Sequence, residues 1–210
     1  VFKFTGPKGF MAQLGGQTPI NIARHLVDGG YDVLGSSLES IDLAEDRGRF
    51  AKICQELKFK IPASGMAEDF AESKNIADKV GFPIICRPSY VLGGRRMEIV
   101  ENLEELKDYF ERNGDVIGKD SPCLIDEFVE GALEVDVDLV RGKDWSLIGG
   151  IVEHIEAAGV HSGDSMGVIP PQRLKEETCR RIEAMALELA DRMNVIGILN
   201  LQLAVKNDQV

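Results

Sequence analysis

Apolar residues recur along the chain in two rhythms, one near 3.6 and one of 2. Ile20, Ala23, Leu26 and Val27 form a helical stripe behind Thr18-Pro19, which reads as an N-cap with proline at the first helical position, and Gly29-Gly30 ends it. Tyr31 to Leu34 then reads as a short strand. Ala12-Gln13-Leu14-Gly15-Gly16-Gln17 supplies the end of an earlier strand and a glycine turn, so residues 12–35 predict a βαβ unit of Rossmann-like type. Two or three strands do not complete a doubly wound sheet, so either this unit packs on the residues after it or earlier sequence is missing.

From Ser40 the helical rhythm runs through Ile41, Ala44, Phe50, Ile53, Cys54 and Leu57, and Pro62 closes it. A second helix places Phe70, Ser73, Ala77 and Val80 on one face before Gly81, and a strand carrying Arg87 comes next. Met97 to Val100 predicts another strand. Asn102 caps a helix with Leu103, Leu106, Tyr109 and Phe110 inward, stopped at Asn113-Gly114, and Leu124 to Phe128 returns as strand. Residues 65–130 thus predict a small α+β unit. Beyond Gly131, Glu134, Asp136 and Asp138 alternate with Val135, Val137 and Leu139, the signature of a two-faced strand. Arg141 to Asp144 turns the chain, and Trp145 to Glu153 runs back beside it. A long amphipathic helix spans about Lys175 to Met193, Asn200 to Val205 alternates again, and Lys206 to Gln209 is turn-like before Val210, which reads as the start of a further strand.

With 210 residues, 44% hydrophobic and 28% charged, the chain has enough apolar material for one or two cores and no run long enough to span a membrane. The N-terminus lacks the apolar core of a signal peptide, so a cytoplasmic protein is expected. Cys54, Cys86, Cys123 and Cys179 are far apart, which favours reduced, mostly buried thiols over a zinc site or a redox motif. A formal charge of −11 repels nucleic acid and acidic lipid, so neither is expected as a partner.

Against that acidic background, Ile84 to Arg96 runs from an apolar strand through Arg87 into Gly93-Gly94-Arg95-Arg96. A guanidinium at a strand end takes a phosphoryl oxygen bidentately, and paired glycines let backbone N–H groups close over an anion. Arg47, in a helix beside Glu45, Asp46 and Arg49, reads equally well as a partner in solvated helix pairs. Glu134, Asp136 and Asp138 share one strand face, where like charges repel unless water, a cation or a hydroxyl-bearing ligand intervenes. For Asp136 and Asp138 a wet strand face is expected.

Taken together, Ala44-Glu45-Asp46-Arg47, RPSYVLGGRRMEIV at 87–100, EVDVDLV at 134–140, IGGIVEHIEAAGVHSGDS at 148–165 and NLQLAVKN at 200–207 resemble the large chain of carbamoyl-phosphate synthetase, specifically its second ATP-grasp unit. The resemblance covers almost everything after Ala12, while Val1 to Met11 depart from the family's pattern. It implies an α/β fold of α+β subdomains, an ATP-grasp unit preceded by part of a Rossmann-like pre-ATP-grasp domain. The implied divisions are 1–38 for the end of that domain, 39–64 for linking helices, 65–130 for the lid subdomain and 131–210 for an incomplete C-terminal subdomain. ATP would lie between the subdomains. Carried onto this sequence, Arg47 and Arg87 contact phosphates and serve catalysis, Gly93 and Gly94 form the lid, and Glu127 to Val129 contacts adenine. Glu134 binds ribose, and Gly159, Val160, His161 and Ser162 contact the nucleotide. Gln202 ligates magnesium (or manganese), and Glu153 and His154 line the carbamate side. The family's remaining metal ligands would lie beyond Val210.

The implied activity is a ligase reaction, ATP-dependent phosphorylation of carbamate to carbamoyl phosphate, in arginine and pyrimidine biosynthesis. The implied partners are a glutamine amidotransferase small subunit or domain and the first synthetase unit of the same chain. Two other readings arise from the same residues: a nucleotide-binding fragment without turnover, and an ATP-grasp carboxylate–amine ligase with another acceptor.

Overall fold

Where alternation and glycine turns place strands, the computed structural model builds three sheets; it describes residues 6–14, 17–89, 96–160 and 164–210. The first is a parallel pair, β1 (Gly9–Phe10) with β2 (Asp32–Val33), joined across α1 (Gln17–Asp28). The βαβ unit is as expected, but its first strand lies earlier than Ala12. Gln13 leaves the strand because its side-chain amide donates to Ser36 Oγ at 3.0 Å and to the Ile198 carbonyl at 3.2 Å. Phe10, Ala12, Ala23 and Ile41 form its core. The unit is tied to the C-terminal part of the chain: Ser36 Oγ donates to the Ile196 carbonyl at 3.0 Å and Ser40 Oγ to that of Asn194 at 3.1 Å.

The helical stretch after Ser40 is two helices, α2 (Leu38–Glu45) and α3 (Arg47–Glu56). Asp46 breaks it, with φ −82 and ψ 107, and restarts it by accepting the Arg49 N–H on Oδ1 at 2.9 Å. Apolar spacing runs through this break unchanged, but an aspartate at an N-cap is a strong local stop. The result puts Arg47 at the first residue of α3.

The second sheet is antiparallel, ordered β3 (Ser64–Ala67), β6 (Cys123–Glu127), β4 (Ile84–Pro88) and β5 (Glu98–Val100). Helices α4 (Phe70–Val80) and α5 (Leu103–Arg112) supply Ala77, Leu106, Tyr109 and Phe110 to its core. Ile84, Cys86 and Pro88 are buried in β4, so Ile85 and Arg87 take the other face, and Asp126, opposite Ile85, shares it. Asn102 starts α5 by accepting the Glu105 N–H at 3.0 Å, while Glu105 accepts the Glu101 N–H at 2.9 Å. Asn102→Ala should cost about 1 kcal/mol, read as a lower urea midpoint with unchanged m-value.

The third sheet, ordered β10 (Gly197–Val205), β7 (Leu133–Arg141), β8 (Ser146–His154) and β9 (Gly167–Val168), is also antiparallel. Val135, Val137 and Leu139 face Ile182, Ala186 and Leu189 of α6 (Glu176–Arg192). The opposite face carries Glu134, Asp136 and Asp138 in register with Ala204, Gln202 and Asn200. β9, two residues long in a glycine- and serine-rich stretch without period, has no counterpart in the sequence reading. Cys54, Cys86 and Cys123 are buried and Cys179 half-buried, all as free thiols. Among the described residues no helix is long and apolar enough to cross a membrane.

Candidate functional site

The polar faces of the two larger sheets, with the start of α3, gather the charged residues that the sequence singles out. Arg87 Nη2 pairs with Asp126 Oδ2, with the side chains 46% and 18% exposed respectively. Arg87 thus forms a partly exposed ion pair. Among the described residues Arg47 forms none of the helix ion pairs its neighbours suggest, and Arg49 pairs with Glu39. The Arg47 guanidinium lies instead where burial lowers its pKa, Asp126 raises it and the Arg87 charge lowers it. Arg87 is the guanidinium paired with Asp126 and the Arg47 charge lies close by, so the group retains a net positive charge, which an anion would complete.

Facing them, Glu134 is held above the usual carboxylate range, first by burial, with Asp136 adding to the rise and His154, the Gly159 amide and Arg87 opposing it. His154, 3% exposed, places Nε2 at 2.8 Å from Asp136 Oδ2 and Nδ1 at 3.8 Å from Glu134 Oε2. Glu134 Oε2 and His154 Nδ1 are buried and have no hydrogen-bond partner among the described residues. Here the structure corrects the wet-face expectation for Asp136, which is bonded to His154, while Asp138 is exposed and accepts from Asn200 Nδ2 at 2.9 Å. Gly159, at φ +95, approaches so closely that a Cβ there would lie 3.2 Å from Phe128 Cε2 and 3.3 Å from Ile99 Cδ1. Val160 is exposed beside it.

A cavity of about 990 Å³ opens next to this cluster, reached at Gly48 and Glu127, the chain neighbours of Arg47 and Asp126; Lys60, Pro62, Val129 and Leu203 also line it. That volume suits a nucleotide-sized ligand. Glu127 and Val129 both line the cavity, and the Glu127 carboxylate accepts the Ala63 N–H at 3.1 Å. Gln202 lies exposed directly across from Asp136. Among the described residues no group of three or more His, Cys, Asp or Glu is placed to hold a metal ion, so Gln202 offers one oxygen ligand of the several that magnesium takes. Gly93, Gly94, His161 and Ser162 lie outside the described residues.

Glu153 does not line the site. Strand alternation sends its side chain to the opposite face from His154, where it is 1% exposed and paired with Arg173 Nε. The backbone N–H groups of Gln172 and Arg173 donate to it at 3.0 and 2.8 Å. Burial pushes its pKa up, but Arg173 and these amides outweigh burial and hold it below the usual range. Sequence reasoning missed Asp126 and the pairing role of Asp136. The signal for Asp136 was its position on Glu134's face, but the partner depends on cross-strand register, which residue order alone does not fix.

Comparison with known proteins adds the family. Over 210 residues the chain is 49% identical to the carbamoyl phosphate synthase large chain of Archaeoglobus fulgidus, covering 100% of this chain and 19% of that protein. It is 45% identical over 204 residues to the same large chain of Thermotoga neapolitana, covering 97% of this chain and 18% of that protein. The chain thus spans about a fifth of the length of these relatives. A crystal structure of the biotin carboxylase domain of Hydrogenobacter thermophilus 2-oxoglutarate carboxylase, in complex with MgADP, ADP and bicarbonate, superposes with a TM-score of 0.77 at 16% identity. The match covers 100% of this chain and 47% of that one, and the shared architecture is the ATP-grasp fold. Residues 46–210 match the family model described as carbamoyl-phosphate synthase L chain, ATP binding domain, and the chain belongs to that family.

Proposed function

We propose that the chain is the nucleotide-binding part of a carbamoyl-phosphate synthase large chain, and of its second unit, the one that phosphorylates carbamate. The observation that carries this reading is the Arg87–Asp126 pair with the Arg47 charge close to it, and Glu134 with an oxygen that has no hydrogen-bond partner among the described residues. A triphosphate would complete the charge at the guanidiniums, and a ribose hydroxyl would satisfy Glu134. Adenine would enter the cavity lined by Val129 and Leu203. The assignment to the second unit rests on RPSYVLGGRR and EHIEAAGVHSGDS.

In the reaction, a carbamate oxygen attacks the γ-phosphorus in line, the bond to the β,γ-bridging oxygen breaks, and ADP leaves with that electron pair. Arg47 and Arg87 balance negative charge on the phosphoryl oxygens, and no covalent enzyme intermediate is needed. Excluding water matters because carbamate is labile. Gly93, Gly94, His161 and Ser162 take the lid and nucleotide contacts that the family pattern gives them. Magnesium, when bound, would neutralise charge on the phosphates, with Gln202 giving one oxygen. Residues 1–38, 39–64, 65–130 and 131–210 are the proposed divisions, and a glutamine amidotransferase and the first synthetase unit are the proposed partners.

Two measurements test this reading. The chain should bind MgATP in a calorimeter, and a full-length large chain containing it should release ADP on adding carbamate. Binding without carbamate-dependent ADP release would reject the acceptor, and no binding would reject the nucleotide site.

A further inference from the structure

β8 ends at Glu153 and His154, and β9 pairs with these same two residues, Val168 opposite Glu153 and Gly167 opposite His154. The Ile155 N–H donates to the Met166 carbonyl at 2.9 Å, so the segment that carries Gly159 and Val160 leaves and returns through one neck. A ladder two residues long holds such a neck weakly, because few backbone bonds offset the entropy of closing the loop. Arg173 adds a second tie. Its Nε donates to the Glu153 carboxylate and its Nη2 to the His154 carbonyl, while the Gln172 and Arg173 N–H groups donate to the same carboxylate. One planar guanidinium therefore holds a buried side chain of β8 and the carbonyl at the mouth of the loop at the same time. Gly159 lies a short way along the chain from that carbonyl, close to Phe128 and Ile99, so a shift of the neck would move Gly159 and Val160 with it.

We infer that Arg173 is a positioning residue: by holding the His154 carbonyl and the Glu153 carboxylate on one guanidinium, it sets where the loop leaves β8 and so keeps Gly159 and Val160 at the bound nucleotide. The nucleotide half of this inference rests on the proposed function. The anchoring half stands on the contacts of Arg173, and the two are measured separately.

Two variants part an anchoring role from a purely structural one. Arg173→Lys keeps a positive charge beside Glu153 without the planar fork, so its urea midpoint should stay close to wild type while affinity for MgATP falls about tenfold. Glu153→Gln removes the buried charge and leaves the Arg173 bond to the His154 carbonyl. Its urea midpoint should fall, while MgATP affinity, measured by calorimetry without urea, should stay within about twofold of wild type. If Arg173 served stability alone, affinity would follow the midpoint in both variants, and that result would overturn the inference. Hydrogen exchange reads the anchor without ligand: amides of residues 155–160 should exchange about tenfold faster in Arg173→Lys, with those of β7 and β10 unchanged. Unchanged exchange in that segment would also overturn it. A wild type that fails to bind MgATP would overturn the nucleotide site, and faster exchange confined to residues 155–160 would then still support the anchor.

Discussion

Replacing Arg87 by methionine should lower affinity for ATP by about 100-fold, because two charge-assisted bonds to a phosphoryl group disappear and each such bond contributes roughly 1.5–3 kcal/mol. Methionine keeps an unbranched stem on β4 and removes only the charge. The Arg87–Asp126 pair is half-exposed on the arginine side, so the folded state should lose little, and a urea midpoint near wild type would separate ligand loss from unfolding. Calorimetry with ATP, ADP and adenosine is the decisive measurement. Loss should be steepest for ATP and small for adenosine, since the guanidinium faces the cluster around Asp126 and not the cavity lined by Val129 and Leu203. Equal loss across all three ligands would reject a phosphate-contacting role. Lysine at this position should recover part of the affinity, because it restores charge without the planar fork.

The largest expected effect on stability lies on the buried face of the third sheet. Arg173→Ala strips the ionic partner from Glu153, a carboxylate 1% exposed, and should cost about 3 kcal/mol at neutral pH. The Gln172 and Arg173 amides still donate to it, which keeps the loss near the lower end for a broken buried pair. The pH dependence has a definite sign. Glu153 is depressed in the folded protein from an ordinary value near 4.5, so its contribution is fully present above that value and fades as pH falls through the lower folded-state pKa. The wild-type urea midpoint should therefore drop on acidification below about pH 4.5, and the drop should be shallower in Arg173→Ala, whose carboxylate has already lost its main stabiliser. In a double-mutant cycle, Glu153→Gln should cost less in the Arg173→Ala background than in the wild type. Additive losses with parallel pH profiles would sink the account.

Much of the fold was readable from residue order because each side-chain rhythm reports one local geometry. In β7, carboxylates alternating with Val135, Val137 and Leu139 identified both the strand and its buried face. Asn102 and Gly81 marked helix ends with a side chain or a backbone that does little else. Reading failed where a local signal was shorter than the rhythm around it. Asp46 interrupts a continuous apolar stripe, and β9 is two residues long in a stretch with no period. The site divides in the same way. Arg87 and Glu134 stood out because charge at the end or on the face of a strand is conspicuous, whereas Asp126, Asp136 and His154 acquire their partners only through the register between paired strands. Glu153 illustrates the converse: beside His154 in the chain, it ends on the far side of the sheet.

Gly159 marks a close approach. Its bare α-carbon sits against Phe128, just past β6, and Ile99 of β5, so the loop leaving β8 nests on the neighbouring sheet with no methyl group between them. Any larger residue would press on those two side chains, which would have to give way, while also straining a backbone at φ +95. One absent carbon atom thus lets the loop and the neighbouring sheet meet without displacement at that edge.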